Sequence, residues 1–290
     1  MWLPPRARPT LATAAACALL AGCGADEPPG RADRGAGLLT QQAPQVRRPT
    51  PPEEDDDVLH LPPADEPAGR HAFYWTRAVY SGYGRGWYGG RGSWSTDFPK
   101  GDRQFLLVLK RLVRLDAYDW ENAISLADPR LRNHPMIYAV EVGYMDLTEA
   151  EVHGLRDYLN AGGLLVVDDF WGSREWAVFE HNIRRVLPGR SIVDLPLDHP
   201  LFSTYYEIDE IKQVPARGNG INGRPTWERD GVVPYVKGIF DDAGHLMVLI
   251  NWNTDLGDAW EWAELPWYPL EYSTYAYEMG ANMIVYGMSR

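Results

Sequence analysis

Two adjacent carboxylates, Asp168 and Asp169, end a wholly apolar run, Leu164-Leu165-Val166-Val167, and precede Phe170, Trp171 and Gly172. Carboxylates so placed can divide acid and base roles or share a cation. Side chains alternate across a strand, so both reach one cleft only if the chain turns directly after the run. A bland arrangement competes, in which one carboxylate caps the next helix and the other pairs with an arginine such as Arg77. A second set of oxygen donors, Asn253, Asp255, Asp258 and Glu261, lies at short spacing in the segment 251–262. Such donors can hold Ca²⁺ or Mg²⁺. Their order is not that of an EF-hand loop, and a loop rich in Asx-turns has the same composition. No cofactor is expected, and a divalent cation at this loop is the one open case.

Aromatic residues form the third feature, with Trp75, Trp87, Trp94, Trp171, Trp252, Trp260, Trp262 and Trp267 spread along the chain. Tryptophans beside acids can stack on sugar faces or anchor an interface, although packing accounts for most such residues. Other chemistries find no support. Gly82-Tyr83-Gly84-Arg85-Gly86 lacks the Gly-Lys-Ser/Thr of a phosphate loop. There is no Gly-x-Ser-x-Gly elbow and no His-Glu-x-x-His pair. The only cysteines are Cys17 and Cys23, so a domain downstream of them has no disulfide, thiolate site or cysteine nucleophile.

These residues need elements to position them. The segment 71–80 is rich in aromatic and β-branched residues and predicts a strand. Asp97 and Pro99 then mark a helix start, with Phe105, Leu106, Leu109, Leu112 and Val113 on one face. Short strands are predicted at 123–126 and 136–142. Thr148-Glu149-Ala150-Glu151 is a capping box opening a helix that stops at Gly162-Gly163. The apolar run 164–167 predicts a strand buried on both faces, followed by a helix over 173–187 and a strand at 191–195. Segments 235–240 and 245–252 flank Asp241-Asp242-Ala243-Gly244 and predict a hairpin. A final helix is predicted over 274–286. Alternating strands and helices imply an α/β three-layer sandwich with a mostly parallel sheet. Ligands of such sheets sit at the carboxyl ends of the strands. Arg77 to Tyr80, Glu141 to Tyr144 and Asp168 to Gly172 fall there.

The domain occupies residues 70–290. Residues 1–22 carry Arg6 and Arg8 before an apolar run that ends in Leu20-Ala21-Gly22-Cys23. The run is a secretory signal, too short to span a bilayer. Its end resembles the bacterial lipobox, which implies that Cys23 is acylated and that the chain is lipid-anchored in the bacterial cell envelope. Residues 23–69 are rich in proline and include Glu53-Glu54-Asp55-Asp56-Asp57; they are expected to be a disordered tether. Without residues 1–22 the chain has 26 basic residues against 40 acidic ones, a formal net charge of −14. That excludes a nucleic-acid footprint and leaves the acyl chains to hold the membrane.

Six stretches carry a family resemblance: Trp75-Thr76-Arg77 with Tyr80; Trp94-Ser95-Thr96-Asp97-Phe98-Pro99; the run from Gly162 through Asp168-Asp169 to Gly172; Leu197-Asp198-His199-Pro200-Leu201-Phe202; Gly238-Ile239-Phe240-Asp241-Asp242; and Asn253 to Glu261. In order along the chain, they resemble the bacterial family called domain of unknown function 4159. The resemblance implies a flavodoxin-like sheet of the class I glutamine amidotransferase type and, from the membrane and ATPase partners of some members, a role in envelope assembly. A histidine often precedes the Asn-Thr-Asp stretch in that family; here it is Trp252, which weakens metal or histidine chemistry in this loop. Two functions follow. The expected one is a non-catalytic binding or assembly module recognising a protein or glycan at the carboxyl edge of the sheet. The alternative is a hydrolase of an envelope polymer that uses Asp168 or Asp169 with Arg77. The candidate cleft in either case comprises Arg77, Tyr80, Trp94, Asp97, Asp168, Asp169, Trp171, Asn253, Asp255, Asp258 and Glu261.

Overall fold

The computed structural model describes residues 71–83 and 92–289. These belong to one compact unit. The expected signal peptide, Cys23, the tether and most of the glycine-rich loop lie outside the described residues. The elements run β1 (Thr76–Val79), α1 (Lys100–Val113), β2 (Asn122–Ser125), β3 (Met136–Val140), α2 (Glu149–Asn160), β4 (Leu164–Asp168), α3 (Gly172–Val186) and β5 (Ile192–Asp194). They continue with β6 (Tyr235–Phe240), β7 (Leu246–Trp252), α4 (Leu256–Glu261) and α5 (Leu270–Met288).

One seven-stranded sheet has the order β2-β1-β3-β4-β7-β6-β5. The first five of these are mutually parallel, and β6 runs against β7 and β5. Order 2-1-3-4 followed by one further parallel strand is the flavodoxin-like arrangement. The predicted hairpin of β6 and β7 forms, closed by the Asp241 carboxylate, which accepts from the Ala243 and His245 amides at 2.9 and 2.8 Å. It is not an appendage. β7 pairs with β4 and is almost entirely buried, as its apolar run Leu246-Met247-Val248-Leu249-Ile250 requires of a strand covered on both faces.

Strand alternation sorts the core into two layers. Met136, Tyr138, Val140, Leu164 and Val166 face α1, α4 and α5, where Trp75, Phe105 and Trp260 pack with ring centroids 4.1–5.8 Å apart. Ile137, Ala139, Leu165 and Val167 face α2 and α3. The capping box at Thr148 and Glu151 is present. After α2 the Gly163 amide donates to the Tyr158 carbonyl at 3.0 Å; a Cβ there would lie 2.2 Å from the Tyr158 ring, so the close approach requires glycine.

Three boundaries differ from expectation. The first strand is shorter, because only Phe73 forms a bridge before Thr76. The last helix begins four residues early, behind Pro269. The helix α4 is not expected from the sequence, which reads 251–262 as a loop with either cation ligands or Asx-turns, because the residues just before it, Asn253-Thr254-Asp255, favour caps and turns; Asp255 is its N-cap, accepting from the Asp258 amide at 2.8 Å.

Candidate functional site

The carboxyl ends of β3, β4 and β7 open on a cavity of about 380 Å³. The neighbouring position of β7 beside β4 decides its contents, since it brings the segment after Trp252 against the segment after Asp168.

β4 delivers its two carboxylates to different places. Asp168 keeps the strand's alternation and stays on the Tyr138 side, fully buried. Its Oδ2 accepts from the Tyr138 hydroxyl at 2.6 Å and from the Leu256 and Gly257 amides at 2.8 and 3.3 Å. It therefore fastens the start of α4 to the sheet. Burial pushes its carboxyl up to about 7, opposed by those same hydrogen bonds. Asp169 leaves the strand with φ 49° and enters the cavity, accepting from the Trp171 indole nitrogen at 3.0 Å. The two acids do not share the cleft.

The expectation that Arg77 pairs with them is corrected. Arg77 is 1% exposed and grips Asp102 in the first turn of α1, through Nε at 3.3 Å and Nη2 at 2.5 Å. Its Nη1 donates to the Thr96 carbonyl at 3.0 Å. A strand residue two places into β1 lies too far below the sheet's edge to reach the cavity, and the acid that faces it comes from α1. Its effect on the site is indirect, because the carbonyl it holds precedes Asp97.

Tyr80, Trp94 and Asn253 are likewise supports. The Tyr80 hydroxyl donates toward the Val140 and Glu141 carbonyls at 2.7 and 2.9 Å. Trp94 packs on Phe98, with centroids 5.5 Å apart. Asn253 accepts from the Gly172 amide at 2.8 Å and donates to the Val233 carbonyl at 2.7 Å, tying α3 to the irregular segment 203–234.

The remaining candidates converge. Asp97, Asp169, Trp171, Asp255, Asp258 and Glu261 all line the cavity. Asp258 and Glu261 are three apart on α4 and so share a face. One carboxylate oxygen from each of Asp97, Asp169 and Asp255 lies within 4.8 Å of the others, and the same holds for Asp97, Asp258 and Glu261. Asp97 is 6% exposed, sits at φ 61°, and its Oδ2 has no hydrogen-bond partner. Burial, then the neighbouring Asp258 and Glu261, holds its carboxyl well above the ordinary carboxylate range. Burial does the same to Asp169, reinforced by Glu141 and Asp97, and to Asp255, reinforced by Asp169 and Asp258. Glu261 is pushed up to about 7 by burial and then by Asp258. Packed acids of one sign cannot all ionise without a counter-charge.

Further residues join them: Glu141, which the sequence places at a strand's carboxyl end, and four that it does not single out. Glu141, Glu175, Glu228, Arg217 and Arg229 also line the cavity. Arg229 pairs with Glu175 at 2.6 Å and donates to the Tyr144 hydroxyl at 2.8 Å. Burial, then Glu175 and Glu228, raises Glu141 to about 8. Glu141 follows a buried strand directly, and Glu175 lies one turn into a helix at the sheet's carboxyl edge; both positions are readable in sequence. Arg217, Glu228 and Arg229 come from a segment without periodicity, where nothing in the sequence orients them.

The cleft's tryptophans offer no open platform. Trp171 is buried, and the ring of Trp262 has Lys100 Nζ at 3.8 Å and the Arg217 guanidinium at 4.0 Å. Among the described residues no helix is long and apolar enough to cross a membrane.

No curated protein matches the chain. A family model described as a domain of unknown function (DUF4159) matches residues 82–288, the stretch that supplies the whole carboxylate cluster. The chain belongs to that family.

Proposed function

We propose that the cleft binds a divalent cation and, through it, a hydroxyl-rich ligand of the cell envelope such as a glycan, with the protein tethered there by lipid on Cys23. Asp97 carries this reading. Its Oδ2 is buried without a hydrogen-bond partner, in a wall where oxygens of Asp169 and Asp255 stand within 4.8 Å. A buried carboxylate oxygen left unsatisfied is costly, and a cation repays it. All-oxygen donors suit Mg²⁺, Ca²⁺ or Mn²⁺ rather than softer ions. The cavity wall also holds Glu141, Glu175 and Glu228 against only Arg217 and Arg229, so the charge balance disfavours an anionic ligand. The covered tryptophan faces disfavour stacking, which leaves hydroxyls as the recognised groups. The flavodoxin-like strand order supports the amidotransferase-type fold implied by the family resemblance, while the lack of a cysteine after Cys23 sets it apart from thiol chemistry. Lipobox spacing and net acidity support the envelope location.

A hydrolytic reading is favoured by one observation. Glu141 lines the cavity beside the cation ligands without being one of them, so acid–base work would fall to it and not to Arg77 or Asp168. Thermal unfolding of the purified full chain, in chelator and in each of the three cations, tests cation binding. At a hundredfold excess over Kd the folded state gains about 2.7 kcal/mol, a rise of several degrees. No shift with any of the three up to about 10 mM, well above the weakest extracellular calcium affinities, would overturn the reading.

A further inference from the structure

We infer that the site is binuclear: two divalent cations, one held by Asp97, Asp169 and Asp255 and the other by Asp97, Asp258 and Glu261, with the Asp97 carboxylate bridging them. This rests on the cation reading above and goes further in giving the number of ions and the role of each acid.

The geometry supports two positions and not one. Five carboxylates meet, yet they fall into two triads, each with its oxygens within 4.8 Å of one another, and Asp97 alone belongs to both. Calcium-like bonds of about 2.4 Å place opposite ligands about 4.8 Å apart, so each triad is the size of one coordination sphere. A carboxylate has two oxygens, and bridging through both sets cations about 3.5–4 Å apart, the separation of two-metal sites. Asp97 has an oxygen to give, because the residue lines the cavity and its Oδ2 is buried and accepts no hydrogen bond.

The surroundings keep that oxygen accessible. A Cβ at position 257 would lie 2.6 Å from Asp97 Oδ2 and 3.5 Å from Asp255 Oδ1. Glycine there leaves the space between the two acids open. Asp255 accepts from the Asp258 amide through Oδ1, and Asp258 accepts from the Trp262 indole nitrogen at 2.9 Å through Oδ1 and from the Arg217 amide through Oδ2; these bonds fix both side chains, and each bonded oxygen keeps a second lone pair for a metal. Charge agrees. Five carboxylates with one divalent cation retain three negative charges, and with two they retain one, which a low-dielectric site tolerates far better.

The test uses the full chain, stripped with EDTA and titrated with MnCl₂ by calorimetry, with electron paramagnetic resonance on the loaded sample. Two equivalents and an exchange-coupled spectrum are expected. Glu261→Gln and Asp255→Asn should each retain one equivalent and lose the coupling. Asp97→Asn should weaken both sites by at least about tenfold, since even outer partners of a metal ligand are worth 10–100-fold. Unfolding in EDTA confirms that each variant is folded, and Gly257→Ala, which keeps every ligand, should also weaken binding. One equivalent in the wild type, or two uncoupled ions insensitive to Asp97→Asn, would overturn the pair and leave the single-cation reading standing. No binding at all would overturn both.

Discussion

Replacing Asp168 separates a clamp from a ligand. Its Oδ2 receives the Tyr138 hydroxyl and the Leu256 and Gly257 amides, all buried at the junction of β3, β4 and α4. Asp168→Ala leaves the hydroxyl and at least the well-placed Leu256 amide without an acceptor. An unsatisfied buried donor costs about 1–3 kcal/mol, so the expected loss is about 4 kcal/mol. Asp168→Asn keeps an accepting oxygen. It exchanges charge-assisted bonds for neutral ones, at about 1 kcal/mol each, and is relieved of a carboxylate whose burial already raises it to about 7. The expected net loss is about 1 kcal/mol. Guanidinium unfolding of the full chain at neutral pH in EDTA measures both. If Ala and Asn differ by less than about 0.5 kcal/mol with unchanged m-values, Asp168 does not hold α4 and the division of labour between Asp168 and Asp169 is wrong.

Three further outcomes follow from the same structure. In EDTA, Asp97→Asn should be as stable as the wild type or more so by about 0.5–2 kcal/mol, as for other strained functional positions, because it removes a buried like charge and Asn tolerates the left-handed backbone; a clear loss in Tm contradicts this. The metal-free protein should lose stability as pH rises from about 4 to 8. Over that range the folded state retains protons on Asp168, Glu141 and Glu261, raised to about 7, 8 and 7, that the unfolded chain has released, at up to about 1.4 kcal/mol per proton and pH unit. Below that window both states are protonated and the effect vanishes; a Tm that climbs between pH 5.5 and 8 in EDTA contradicts the sign. Cys23→Ser should release the protein from the membrane fraction and abolish acyl labelling; unchanged retention with unchanged labelling sinks the anchor.

The layered fold was readable because its signals are local. The capping box at Thr148, the two-faced apolar run at 164–167 and the turn at Asp241–Gly244 between the hairpin strands each act within a few residues. What was not readable is adjacency. Nothing in the hairpin says that β7 lies beside β4, because parallel pairing is settled by contacts between distant segments. That pairing builds the site: it brings Asp255, Asp258 and Glu261 to Asp169. Arg77 was misassigned for a related reason, since its charge predicts a carboxylate partner but not which one, and Asp102 reaches it first from α1. Asp97 was identified as a helix start and a candidate. Its unpartnered oxygen, the fact that gives it a role, exists only in three dimensions.

The cation claim is tested most directly by crystals of the protein grown or soaked with MnCl₂ and measured for anomalous scattering of manganese. The account predicts a peak among the Asp97, Asp169 and Asp255 oxygens, bonded at about 2.1–2.4 Å, with a second beside Asp258 and Glu261. A cleft without an anomalous peak at saturating manganese, with the Asp97 carboxylate protonated or bonded to water alone, would contradict it.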